Sequence, residues 1–210
     1  MFFFKCDILS QEDKLKFKII ICLFIACILL VNTTSAYQLT DSNGKYYKWN
    51  KNYNDPIYVD SSSLTNSWQT ATSNAISMWS TSSNDADIRL INQRGRIECA
   101  MSAVPITDRN VLAFVNYSTY TYYSSNNTFV VTSTLIRINS SVTNWHTGTG
   151  TSSGNYSLQT VIAHELGHVL GLMDNDSYSN GLMRSSLGTG VVRAVGGDEI
   201  NGSRAIYGRR

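Results

Sequence analysis

The sequence predicts an α+β domain behind a short export segment. Three observations carry this. Val-, Thr-, Tyr- and Ile-rich stretches with period-two patterning dominate up to residue 139, helical spacing of apolar residues takes over after Ser157, and a long apolar run lies near the start. The order read along the chain is strand, helix, several strands, then two helices, an α+β layout.

Residues 1–36 read as an export signal. Lys14, Lys16 and Lys18 precede thirteen uninterrupted apolar residues, Ile19 to Val31, and Thr34-Ser35-Ala36 offers small residues for cleavage before Tyr37. Thirteen residues fall short of the ~20 needed to span a bilayer, and an uncleaved anchor is the alternative. The mature chain, 37–210, is expected to be secreted, with no stable membrane association. Cleavage would remove Cys6, Cys22 and Cys27 and leave Cys99 without a disulfide partner, as a small buried hydrophobe.

Within 37–60, Tyr46, Tyr47, Trp49, Ile57, Tyr58 and Val59 are strand formers. Ser61-Ser62-Ser63 then offers helix caps, and Leu64, Trp68, Ala71, Ala75 and Trp79 share one helical face. Ala86–Asn92 reads as a strand. Val111–Tyr123 and Phe129–Asn139, separated by Ser-Ser-Asn-Asn, read as a hairpin. Leu158, Ile162, Leu166 and Val169 define a helix of about four turns ending at Gly171. A last helix is predicted over Asp198–Tyr207, its acidic start matching the helix dipole.

Composition excludes some functions. Charged residues are 15% of the chain and the formal net charge is +2, with no run of Lys or Arg, so binding nucleic acid by phosphate neutralisation is not expected. The 42% apolar fraction supplies a core for one domain.

Chemistry concentrates in His164-Glu165-Leu166-Gly167-His168. Residues four apart on a helix project from neighbouring points of one face, so the two imidazoles suit one Zn²⁺, with Glu165 placed to act on a bound water. The segment uses two of the chain's three histidines. Zinc needs a third protein ligand, and Gly171 can turn the chain so that Asp174 folds back; Asp176 or His146 are the alternatives.

The pattern His-Glu-x-x-His-x-x-Gly-x-x-Asp resembles the extended zinc motif of the metzincin metalloproteases, and among them most resembles the matrixins. Gly181-Leu182-Met183 is similar to their Met-turn. Asp198–Gly202 with Ala205–Gly208 is similar to their closing helix, and the Trp68–Trp79 helix with Ala86–Arg89 to their first helix and next strand. The resemblance implies a metzincin-like zinc protease domain over 37–210, with a mixed twisted sheet, an active-site helix and a C-terminal helix. It implies a zinc endopeptidase with Glu165 as general base and acid and Met183 as an apolar floor. An extended protein or peptide substrate would lie along an edge strand within Val111–Tyr123, beside a pocket lined by Val161 and residues 184–196. A monomer is expected. The chain departs from the family by carrying Asp174 where most matrixins have His, and Ser185 where some relatives have a tyrosine ligand. With only His146 outside the motif, a second His-rich zinc site is not expected. Ca²⁺ is a family habit, but no acidic loop matches a calcium pattern. The alternative function is a non-catalytic, zinc-containing module for peptide binding or surface adhesion, against which the presence of Glu165 argues.

Overall fold

Aromatic and β-branched residues form the strands the spacing suggests. In the computed structural model, which describes residues 37–51, 55–81, 89–96 and 98–208, β1 (Tyr46–Trp49) and β2 (Ile57–Asp60) are followed by helix α1 (Asn66–Thr81). Then come β3 (Leu90–Asn92), β4 (Cys99–Val104), β5 (Ala113–Tyr123) and β6 (Thr128–Asn139). The short β7 (Trp145–His146) and β8 (Tyr156–Ser157) precede helices α2 (Leu158–Val169) and α3 (Gly197–Tyr207). The export signal and its cleavage site fall outside the described residues, as does most of the Ala86–Asn92 strand's first half. Among the described residues no helix is long and apolar enough to cross a membrane.

β6 organises the sheet. One of its edges pairs in parallel with β1, from Tyr46↔Thr128 to Trp49↔Val131, and then with β4, from Cys99↔Thr134 to Val104↔Asn139. β2 and β3 extend the sheet beyond β4, again in parallel. β5 folds back antiparallel along the other edge of β6, from Ala113↔Ile138 to Tyr123↔Thr128. The outer edge of β5 pairs with no other described strand.

The expected fold class is therefore corrected. The α+β, metzincin-like mixed sheet is replaced by a mostly parallel sheet with three helices, in which β5 is the antiparallel member among the described strands of that sheet. The physical reason lies in the connections. The β2–α1–β3 segment is a crossover that brings its two strands parallel, and a list of elements in order does not specify strand direction.

The core explains why α2 stays where it is. Leu158, Ile162 and Leu166 are fully buried and Val169 nearly so, each contributing roughly 1.5–3 kcal/mol by leaving water. Burial does not stop at that stripe: Val161, Ala163, Glu165 and Gly167 are also buried, and the helix is enclosed except where His164 and His168 emerge. From α1, Trp79 packs into the core and its indole N–H donates to the Ala163 carbonyl at 3.1 Å. Trp68, expected on the same buried face, is only half-buried and meets Trp145 edge-on. Cys99 is fully buried, and burial pushes its thiol up to about 12.

Candidate metal centre

The helix that carries the two histidines is fixed at both ends. Ser157 caps its start, its hydroxyl accepting from the Thr160 amide at 3.2 Å. At the other end the last carbonyls lack partners within the helix and are met one by one. Leu172 N donates to Gly167 O at 3.0 Å and Gly171 N to His168 O at 2.8 Å. The Tyr117 hydroxyl from β5 also donates to His168 O, the Trp49 indole from β1 to Val169 O, and the Tyr207 hydroxyl from α3 to Leu170 O. Three distant aromatic side chains thus hold the helix end. Sequence reasoning missed them, because no local spacing marks a partner more than thirty residues away.

Gly171 then reverses the chain with φ +93°, the left-handed region where glycine carries no steric penalty. The turn brings Asp174 back over the helix. Its Oδ1 lies 3.3 Å from His164 Nε2 and 3.4 Å from His168 Nε2. Of the open alternatives, Asp176 is bonded to Ser185, and His146 lies on β7 outside the cluster. The sequence-predicted residues His164, His168 and Asp174 are therefore together, and they are the three-ligand group found among the described residues.

Hydrogen bonding sets the histidine tautomers. His164 Nδ1 lies 2.9 Å from the Leu182 carbonyl and His168 Nδ1 lies 2.8 Å from the Leu172 carbonyl. A carbonyl only accepts, so each Nδ1 carries the proton and donates, leaving both Nε2 lone pairs aimed at Asp174. Lone pairs facing a carboxylate oxygen require a cation or protons between them. Tetrahedral ligation at ~2.0–2.2 Å separates ligand atoms by about 3.3–3.6 Å, the spacing found here. The donor set and its spacing fit a zinc ion.

Glu165 lies beside this group, nearly fully buried, and its Oε2 has no hydrogen-bond partner. Burial pushes its carboxyl up, against the lowering influence of His168 and His164. With protons on both Nε2 atoms in place of a cation, burial raises Asp174 and the hydrogen bonds from His164 and His168 lower it; the bonds prevail, and the carboxyl sits well below the usual range. On His168, burial is outweighed by Asp174 and Glu165, so its proton is held more tightly than usual. The same negative surroundings that retain a proton attract a metal cation.

A second tier of contacts supports the cluster. Met183 is buried against Gly167, between the two histidines in sequence, and its own turn is held by Glu199 at the start of α3. Glu199 Oε1 accepts from the amides of Leu182 at 2.7 Å and Met183 at 3.3 Å, while Oε2 accepts from Gly196 at 2.9 Å. The Leu182 carbonyl then orients His164. Glu199, expected only to complement a helix dipole, is thus a positioning residue.

The centre opens into a cleft of about 600 Å³. It is lined by Asn110 to Val115 at and before the start of β5, by Thr160 and Val161 of α2, and by Arg184 to Leu187 with Arg193. The chain therefore presents a ligand-sized cleft at the histidine cluster, and Val161 is among the residues that line it.

No protein-family model matches the sequence, and no curated protein matches it. Among the solved structures that match is a chain described as "GM1 bound form of the ECX AB5 holotoxin". It is similar over 80% of this chain and 86% of that chain, with 16% identity and a TM-score of 0.47. The matrixin assignment is corrected accordingly: no matrixin family model and no curated matrixin matches the sequence. The physical reason is that a short run such as His164–Asp174 specifies a local site, and similar sites recur on unrelated folds.

Proposed function

We propose that this chain is an exported zinc-dependent endopeptidase, with His164, His168 and Asp174 as metal ligands and Glu165 as general base and acid. One observation carries the reading: two Nε2 lone pairs and a carboxylate oxygen converge at zinc-ligand spacing beside the unbonded, buried Oε2 of Glu165. A zinc ion held there supplies Lewis acidity toward a carbonyl oxygen and lowers the pKa of a bound water from about 15.7 to ~7. Glu165 Oε2 takes a proton from the attacking water and later delivers it to the leaving amine. Burial raises this carboxyl above the ordinary glutamate range, which strengthens its hold on the proton it takes.

The edge of β5 contributes binding. Its unpaired amides and carbonyls accept an extended peptide as an added strand, with side chains directed into the cleft. Export rests on the basic flank, apolar run and small-residue site of residues 1–36.

The test combines metal content with cleavage. The mature fragment 37–210 is expected to carry one zinc per chain and to cut casein or gelatin. Glu165→Ala should keep the metal and lose about 10²–10⁴-fold in rate, whereas Asp174→Ala should lose the metal. Equal cleavage by the parent and Glu165→Ala overturns the peptidase. The same strand edge would serve a module that binds peptides without cutting them, and full zinc with no cleavage would favour that reading.

A further inference from the structure

Two cations line the cleft, Arg184 and Arg193, and they are not equivalent. Arg184 is spoken for: its guanidinium lies 3.6 Å from Asp176 and donates to the Ser179 carbonyl at 3.2 Å. Arg193 forms no ion pair among the described residues. Its Nη1 donates to the Ser186 carbonyl at 2.7 Å. A guanidinium has five N–H donors in a planar fork, which leaves capacity for a bidentate partner.

The main chain of Arg193 is tied to the site helix. The Thr160 hydroxyl accepts from Arg193 N at 3.1 Å and lies 3.3 Å from its carbonyl. Thr160 precedes His164 by four residues, just over one helical turn, or about 6 Å along the axis. Val161 and Leu187 line the cleft as apolar neighbours. The cleft's own carboxylates, Glu165 and Asp174, belong to the histidine cluster, and nearby Asp176 is bonded to Ser185 and Arg184. Asp176 acts on Arg193 through space without an ion pair to it, and a half-buried cation with a like-charged neighbour so placed is suited to an anionic ligand. Burial and Arg184 weaken its hold on its proton and Asp176 strengthens it, the weakening prevailing.

The geometry points to a carboxylate subsite: Arg193 selects peptides that carry a carboxylate beside the scissile bond, as an Asp or Glu side chain or as the terminal α-carboxylate. This rests on the peptidase reading and names its substrate class.

The experiment compares kcat/KM of the zinc-loaded fragment for peptides differing by Glu, Gln or Lys at each position flanking the cut, each made as free acid and as C-terminal amide. Glu over Gln at one flanking position by about tenfold is expected, roughly what a hydrogen bond to a charged group provides. Preference for the free acid alone would assign the terminal carboxylate instead. Arg193→Gln should abolish the Glu-over-Gln preference, and Arg193→Lys should retain part of it. Arg184→Gln should leave the preference standing. Equal rates for Glu and Gln peptides and for acids and amides, or a preference that survives Arg193→Gln, overturn the proposal. Should no peptide be cut, the peptidase reading falls separately, and equilibrium binding of the same peptides by fluorescence anisotropy decides the carboxylate preference.

Discussion

Gly171 shows how closely the ligand geometry depends on one backbone position. Its φ of +93° disfavours any side chain, and a Cβ there would meet the Tyr47 carbonyl oxygen at 2.2 Å. That oxygen belongs to strand β1, so it cannot swing aside as a side-chain end would. Gly171→Ala therefore combines left-handed strain of about 1–3 kcal/mol with a backbone clash. A fall in melting temperature of at least several degrees is expected, together with weaker zinc binding, because the turn delivers Asp174. An unchanged melt and unchanged zinc affinity would contradict this account. Gly167 differs: the atoms a Cβ would meet there are the Met183 side-chain end and the Trp79 ring.

The elements around the site act through α2. β1, β5 and α3 each send one aromatic side chain to a carbonyl at its C-terminal end, and α3 also holds the 181–183 turn through Glu199. Replacing Glu199 with Ala leaves the buried amides of Leu182 and Met183, and the part-buried amide of Gly196, without their acceptor. Each unsatisfied group costs about 1–3 kcal/mol. Because the Leu182 carbonyl orients His164, the effect should reach the metal: competition with a chelator should report zinc affinity weakened about 10–100-fold, the usual range for a lost supporting contact. Glu199→Gln, which keeps one carbonyl oxygen, should recover part of that loss. A variant destabilised without any change in zinc affinity would make Glu199 a fold-stabilising residue only.

For the molecule as a whole, a metal bound to the native state and not to the unfolded chain stabilises by mass action, about 2.7 kcal/mol at a free concentration one hundred times Kd. Chelation should therefore lower the melting temperature of the 37–210 fragment, and stoichiometric Zn²⁺ should restore it. Asp174→Ala should melt at the same temperature with and without chelator. A parent protein whose melting is indifferent to chelation would argue that no metal is linked to this fold.

Helices α1, α2 and α3 and the β5–β6 hairpin were legible in the sequence because periodicity is a local property, set by residues three, four or two apart. The placement of His164 and His168 on one face was legible for the same reason. Gly171 hinted that Asp174 would return, but its convergence on both Nε2 atoms depends on the turn closing against Tyr47. The parallel run of β1, β2, β3, β4 and β6 was not readable, since strand direction depends on how crossovers close across the sheet. Nor were the roles of Tyr117, Trp49, Tyr207 and Glu199, whose partners lie far away in the chain. Spacing along one helix thus grouped the two imidazoles, and long-range packing selected their tautomers, brought Asp174 to them and shaped the cleft they face. The division arises because helical geometry repeats every few residues, whereas contacts between elements exist only once the chain has folded.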